Sequence, residues 1–466
     1  MRVPHMSFDQ QANQEIYQLI VTRRNASEML LRSGSSSSLP HVTILRGERI
    51  AEQLTAELYA QCGCRSYCLF VLAHAAQFPR CAVMEAPDLD EPAPAGTCWK
   101  PFNTAMRSAV ESAGDRTVIE RSLEELDFYR REPNAAPFAQ PGWLPELFAW
   151  AEQQVDSLGQ RLTGAFTQLN ASPAFSLIRL ETNDSAVWFK ATGEPNRHEL
   201  PATACIKRLF PGYVPELLGV HPAWNGWLTR DVRGTRLDQD TEISTWSKAA
   251  EDLARLQILS IGNEDELLEG QCKDLRLPRL VVQIDPFIDR MRELMAAQEK
   301  QTPAPLTNPE LTCLGNHLKQ ACSSLCEVGL PDTLGHLDFN PGNIFVLPGR
   351  SVFLDWAEGC VTSPPITFEY LREHLRRNGM NDLRAIESMV AAYVRPWESL
   401  LPPDAFRQAM VTSPLVAVFV YAVAGNTWRS SEEPLQPSVA AYFRSLARRM
   451  YRETSHRIER REQCPA

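Results

Sequence analysis

Long uninterrupted apolar runs are scarce in the sequence. Its longest, PLVAVFVYAVAG at 414–425, falls short of the ~20 residues a spanning helix needs and predicts a buried helix instead. Nor is there a basic surplus: 47 Lys and Arg stand against 57 Asp and Glu, for a formal charge of −10. General nucleic-acid binding requires the opposite balance, while a cationic substrate is compatible with this one. The start, MRVPHMSFDQQANQEIY, lacks the apolar stretch of a secretory leader. This predicts a cytoplasmic chain with twelve cysteines as free thiols. Cys62, Cys64 and Cys68 cluster, but no second Cys/His group at zinc spacing accompanies them, so they read as small buried residues. No internal repeat is evident.

What is present is a chain of 466 residues, 44% hydrophobic and 22% charged, sufficient for two or three domains with cores of their own. Residues 15–23 and 28–32 read as strands, SGSSSSLP as a loop, and 66–74 and 80–86 as further strands. GERIAEQLTAELYAQCG places Ile50, Leu54 and Leu58 on one helical face, with Gly63 at the C-cap position. REPNAAPFAQPG, residues 131–142, is rich in Pro and small residues and predicts a linker. WLPELFAWAEQQVDSLG is helical. Three strands follow within 163–191: GAFTQL, FSLIRLE and AVWFKA. Helical patterns dominate from Thr241 onward, led by WSKAAEDLARLQIL.

The most informative stretch is TLGHLDFNPGNIFV (333–346), followed by SVFLDWAEG. A polar loop between apolar β-rich runs displays reactive groups on a rigid frame. Asp338 and Asn343 are five residues apart, and Asp355 lies twelve further on. Phosphoryl transfer from ATP needs this set: one carboxylate to take the proton of an acceptor hydroxyl, and an amide oxygen with a second carboxylate to hold magnesium. The same residue types also build Asx-rich turns. The second aspartate, placed after an apolar strand, favours the chemical reading.

GHLDFNPGNIFV with FLDWAEG resembles the aminoglycoside phosphotransferase and choline kinase family, the small-molecule branch of the kinase-like fold. His336, Asp338, Pro341, Gly342, Asn343, Asp355 and Trp356 match its motif. The resemblance implies Asp338 as catalytic base, Asn343 and Asp355 as magnesium ligands, and His336 as a brace for the loop. It further implies a phosphate-binding lysine, Lys190 in AVWFK, and a helical glutamate to hold it, Glu199 in NRHELPATACIKRLF. WLTRDVRGTRLD then resembles the hinge behind the adenine, with Arg230, Asp231 and Val232 offering backbone groups. Three departures stand out. LNASPAF (169–175) has no glycine where a phosphate loop is expected, leaving Asn170 to Ser172 to approach the phosphates. Leu337 replaces the usual Gly. Beyond Asp355, Phe368 and Glu369 stand near the place of a missing aspartate.

Residues 1–140 bear a weaker resemblance to the Nudix hydrolase fold. Glu48, Glu57, Leu58 and Gly63 match its signature. Val42, Ala56, Ala60 and Gln61 replace the first Gly, the Arg and the paired glutamates, which implies a lost magnesium site. An unrelated α/β domain with a chance match remains the alternative.

The expected fold class is therefore α+β: a two-lobed kinase-like fold behind an α/β Nudix-like domain. The expected boundaries are 1–140 for that domain, 141–160 for linker and connecting helix, 161–235 and 236–455 for the two lobes, and 456–466 for a tail. The expected function is ATP- and Mg2+-dependent phosphotransfer to a small-molecule hydroxyl of a sugar, aminoglycoside or amino alcohol, with no nucleic acid or membrane as partner. A non-catalytic nucleotide-binding scaffold and a protein kinase are the alternatives. The DW pair and the missing A-P-E count against the latter. The acidic run NEDELLEG (263–270) reads as a solvated loop.

Overall fold

The apolar run in QEIYQLIVTR forms a strand buried on both faces, β1 (Gln14–Arg23), with Leu19, Ile20 and Val21 fully enclosed. It pairs in parallel with β5 (Arg80–Glu85) and antiparallel with β2 (Glu28–Arg32) and β3 (His41–Leu45). β4 (Tyr67–Val71) and β6 (Thr97–Pro101) complete the order β4-β5-β1-β2-β6. Side chains alternate along a strand, so Leu19 and Val21 pack with Leu54 and Leu58 of α1 (Ile50–Cys62). Ile20 meets Val118 and Ile119 of α2 (Ala113–Arg131) on the other face. Gly63 ends α1 at φ 72°, the left-handed cap expected of it. β3 and β6 were not expected: each is five residues long and half exposed, so neither carries a strong apolar signal.

The computed structural model describes residues 13–34, 37–73, 79–87, 92–103, 110–380, 382–429 and 435–463. The leader reading of 1–12, the end of the strand expected to residue 74, and parts of the loop at 33–40 and of the tail thus lie outside the described residues. The chain forms two units, Met1–Leu200 with Glu216–Asp231, and Pro201–Pro215 with Val232–Ala466.

The first unit contains a second sheet, all antiparallel, in the order β10-β11-β9-β8-β7. Its strands are β7 (Leu162–Ala171), β8 (Ser176–Thr182), β9 (Val187–Ala191), β10 (Leu217–His221) and β11 (Gly226–Arg230). No linker separates the two sheets. The Pro-rich 131–142 stretch buries Ala136, Phe138 and Ala139. The Phe138 ring lies 5.0 Å from Trp143, 6.2 Å from Phe189 and 6.0 Å from Trp224. α3 (Trp143–Asp156) adds Trp143, Leu144, Leu147, Ala151 and Val155 to the same core. A single core with members from Ile20 to Leu228 spans the expected 140/160 boundary. Small residues and prolines here permit close packing and do not mark flexibility. A side chain also bridges the sheets. Gln168 on β7 accepts from the Cys68 amide and donates to the Cys68 carbonyl, both at 2.8 Å. It thereby satisfies edge-strand groups of β4 that would otherwise be buried without partners.

In the second unit, residues 201–215 contribute Ala202, Ile206, Phe210 and Val214 to a core with Trp246, Phe353 and Trp356, so the expected 161–235 lobe is split at the helix α4 (Glu199–Leu209). A second core joins α7 (Leu277–Ala296), α8 (Asn308–Val328), α11 (Pro403–Val423) and α12 (Pro437–Gln463). α8 begins with a reciprocal cap between Thr307 and Glu310. α11 contains the long apolar run and is long and apolar enough to span a membrane, yet 78% of its Asp404–Val423 window is buried inside the structure. The expected tail is helical to Gln463. The acidic run is a short helix, Glu264–Glu269, and not a loop. In all, the structure is a mixed α+β chain.

Candidate active site

The loop that carries Asp338 follows a short, fully buried strand, β14 (Thr333–His336), paired antiparallel with β17 (Gly359–Thr362). Side chains satisfy β14 backbone groups: Leu334 N–H donates to Ser260 Oγ at 2.8 Å and His336 N–H to Thr367 Oγ1 at 2.9 Å. At Gly335 a Cβ would meet Thr362 Cγ2 at 2.6 Å and Cys360 Sγ at 3.0 Å, so only glycine fits this approach. The strand is thus fixed along its length before it delivers the loop.

His336 is 1% exposed. Its ring packs 4.8 Å from Trp356, and Nε2 lies 3.0 Å from the Leu354 carbonyl. Only an N–H can donate there, so Nε2 carries the proton and Nδ1 is left buried without a partner. Burial pushes its pKa below the usual range, against the opposing charges of Asp355, Asp338 and Glu358. A neutral imidazole that ties β14 to the residue before Asp355 is a brace, as the sequence implied.

Asp338 and Asp355 are exposed, and Asn343 is half-buried. Asn340 accepts from Gly342 N–H at 2.9 Å and donates to Asp338 Oδ1 at 3.1 Å, closing the turn around the base candidate. Asn343 Nδ2 lies 3.2 Å from the Asp338 carbonyl and 3.4 Å from Oδ2. That orientation turns the amide nitrogen toward Asp338 and leaves Oδ1 as the group for a cation. Asn343 precedes β15 (Ile344–Leu347), and Asp355 follows β16 (Arg350–Phe353). The strands pair antiparallel, and Leu354 N–H donates to the Asn343 carbonyl at 2.9 Å. Asp355 adopts φ 64°, a left-handed backbone that aspartate tolerates better than most residues. The structure therefore brings Asp338, Asn343 and the start of Asp355 into one constellation.

An oxygen-only pair of one amide and one carboxylate suits magnesium. That ion keeps several waters and is commonly held by one or two protein oxygens plus substrate phosphates. No group of three or more His, Cys, Asp or Glu suited to a metal occurs among the described residues. Glu48 and Glu57, the Nudix matches, are both exposed. Cys64 and Cys68 are buried thiols pushed up to about 12 by desolvation, which makes them inert packing groups.

In the first unit, Lys190 lies on β9 and contacts Glu199 Oε1 at 2.5 Å. Their side chains are 15% and 2% exposed. The pair is buried, unlike the solvated pair that residue type alone favours, and Lys190 Nζ lies 5.9 Å from the Trp227 ring. The expected phosphate loop is less available. Arg49 Nη1 donates to Asn170 Oδ1 at 3.0 Å, Ser172 Oγ accepts from Phe175 N–H at 3.0 Å, and Phe138 N–H donates to the Pro173 carbonyl at 3.1 Å. The hairpin is tied down at three points. At the expected hinge, Asp231 N–H donates to Ala186, Trp188 Nε1 donates to Asp231 Oδ1 at 2.7 Å, and the Val232 carbonyl accepts from Gly234 N–H.

Sequence reasoning missed the walls around Asp338. A cavity of about 290 Å³ beside it is lined by α9 (Pro365–Arg377), α11 and α12, including Glu373, Arg377, Tyr421, Tyr442 and Arg449. These residues come from three helices and form no motif. Glu369, noted only as standing near a missing aspartate, lines the same cavity and pairs with Arg372 at 2.5 Å.

No protein-family model matches the chain, and no curated protein does. Solved structures do. A choline/ethanolamine kinase family protein from Mesorhizobium loti is 17% identical, with 63% of this chain and 88% of that one covered and a TM-score of 0.43. A macrolide 2'-phosphotransferase from Brachybacterium faecium is 14% identical, covering 65% and 97%, with a TM-score of 0.42. An ADP-bound aminoglycoside phosphotransferase is 14% identical, covering 66% and 98%, also at 0.42. These structural neighbours are small-molecule phosphotransferases.

Proposed function

We propose that this chain is a cytoplasmic phosphotransferase that moves the γ-phosphoryl group of ATP to a hydroxyl of a small molecule, with a kinase-like two-lobed fold. The observation that carries this reading is the joining of Asp338, Asn343 and Leu354 by hydrogen bonds of 2.9–3.2 Å, with Asp355 next in the chain. Asp338 takes the acceptor's proton as the hydroxyl oxygen forms its bond to phosphorus and the bond to ADP breaks. Lys190, held by Glu199, positions the phosphates. Asn343 and Asp355 would hold magnesium, which neutralises phosphate charge when bound.

Calorimetric titration of ATP with magnesium and with EDTA, followed by ADP release across a panel of hydroxyl acceptors, tests the reading. Metal-dependent binding and acceptor-dependent ADP release are expected; ATP binding indifferent to magnesium overturns it.

A non-catalytic nucleotide binder is the second reading, favoured by the tied hairpin at Asn170, Ser172 and Pro173. It predicts ATP binding with no ADP released by any acceptor. Residues 1–140 we read as a Nudix-like region that no longer hydrolyses, supported by Ala60 and Gln61 in place of paired glutamates. Incubation with nucleoside diphosphate derivatives and manganese checks it: turnover that Glu57→Gln abolishes would refute it.

A further inference from the structure

The hairpin after β7 is poor in the groups that usually hold phosphates. LNASPAF has no glycine. Two of its amides are spent within the turn: Ser172 N–H donates to the Phe175 carbonyl at 3.2 Å, and Phe175 N–H to Ser172 Oγ at 3.0 Å. A glycine loop would offer such amides to the phosphates instead. Here a side chain has to take their place.

The sheet shows where that side chain stands. β7 carries a bulge between Gln168 and Asn170. Gln168 pairs with Ile178 and Asn170 with Leu177, two successive residues of β8. Successive strand residues face opposite sides, so the bulge turns Asn170 away from the side on which Gln168 and Ile178 are buried. Leu177 also pairs with Lys190, and Lys190 with Trp227. Asn170, Leu177, Lys190 and Trp227 thus form one row on one face of the sheet. With roughly 4.8 Å between neighbouring strands, the backbones of Asn170 and Lys190 stand about 10 Å apart.

Arg49 joins the end of this row. It is exposed, and its Nη1 donates to Asn170 Oδ1 at 3.0 Å. Asn170 is neutral, so the contact uses one N–H and leaves the charge and the rest of the guanidinium fork. Among the described residues no carboxylate pairs with Arg49, although Glu48 and Glu52 are close in sequence. Arg46, by contrast, pairs with Glu15 at 2.9 Å. Arg49 is also the N-cap residue of α1, and its side chain caps nothing there. A cation at that end opposes the helix dipole, so α1 itself gives no reason for an arginine.

We propose that Arg49 is a phosphate-binding residue of the nucleotide site, a second cation that acts beside Lys190 in place of the missing glycine-loop amides. This rests on the phosphotransferase reading above. The planar fork of arginine matches two phosphate oxygens at once. Lys190 is already matched by Glu199, so Arg49 brings charge that this pair does not. In this scheme the N-terminal sheet, through α1, completes the nucleotide site.

Two variants separate this role from a tie that merely holds the hairpin. Arg49→Gln and Arg49→Lys both keep an N–H for Asn170 and differ in charge. ATP, ADP and adenosine are titrated calorimetrically into the full chain with magnesium. Arg49→Gln should weaken ATP and ADP by about tenfold or more and leave adenosine unchanged. Arg49→Lys should retain part of what Arg49→Gln loses. Wild-type ATP affinity in Arg49→Gln, equal losses in the two variants, or a loss shared by adenosine overturns the inference. Failure of the phosphotransferase reading registers separately in the wild type, as nucleotide binding that ignores magnesium or releases no ADP with any acceptor; Arg49 is then still judged by nucleotide affinity alone. A wild-type chain that binds no nucleotide overturns both.

Discussion

Leu354 N–H donates to the Asn343 carbonyl across 2.9 Å, so the backbone itself sets Asp355 beside Asn343. Two residues twelve apart in sequence become neighbours at the open ends of a β-hairpin. If they share magnesium, Asp355→Ala should abolish the metal dependence of ATP affinity, and Asn343→Ala should weaken it in the same direction. Nucleotide Kd measured with magnesium and with EDTA decides this; a wild-type metal response in Asp355→Ala would remove the assignment.

Asp338→Asn keeps the side chain's shape and removes the proton acceptor. General base catalysis contributes about 10²–10⁴-fold, so kcat should fall by that factor with little change in ATP affinity. Lys190→Ala should instead weaken ATP use. Steady-state kinetics beside equilibrium nucleotide binding separates the two, and a near-normal kcat in Asp338→Asn would eliminate the base role.

Glu199 is 2% exposed against the Lys190 ammonium. Breaking a buried pair from one side costs about 3–5 kcal/mol, because the remaining charge stays in a poor solvent. Glu199→Ala should therefore lower the stability of the first unit markedly, whereas the double change Lys190→Met/Glu199→Leu should restore much of it. Urea denaturation followed by tryptophan fluorescence measures both; equal losses in the single and double variants would contradict the burial argument.

Burial depresses the His336 pKa below its usual value of about 6.5. Its contribution to stability is complete above the unfolded value. As pH falls below about 6.5 the unfolded chain takes up a proton that the folded site refuses, and stability declines until the depressed folded pKa is passed. Denaturation midpoints between pH 7.5 and 5 should show this slope in the wild type and a shallower one in His336→Gln, which keeps an N–H donor for Leu354. Parallel slopes would assign the acid sensitivity elsewhere.

Much of the candidate site was legible in the sequence because its parts are local. HLDFNPGN is a single turn whose Asx, Pro and Gly residues dictate their own geometry. LDW follows a strand short enough for its register to carry Asp355 back to Asn343. AVWFK and the first turn of α4 likewise place Lys190 and Glu199 nine residues apart across one connection. Their burial is not readable from residue type, since exposure is decided by what packs around the pair.

Other features depended on residues distant in sequence. The Pro-rich 131–142 stretch has the composition of a linker, yet Phe138 is buried among Trp143, Phe189 and Trp224, rings supplied from three later segments. Gln168 gives no sign in the sequence that it will complete the hydrogen bonds of Cys68, one hundred residues earlier. Arg377 and Arg449 meet at Glu373 only because α9 and α12 pack in the same unit. The sequence by itself determined the strongly periodic elements and the turn that carries Asp338 and Asn343, because period, turn chemistry and short-range spacing act within a few residues. Only the tertiary structure decided which side chains are buried, how the hairpin after β7 is restrained and which charged groups line the cavity beside Asp338, because those depend on segments that chain folding alone brings together.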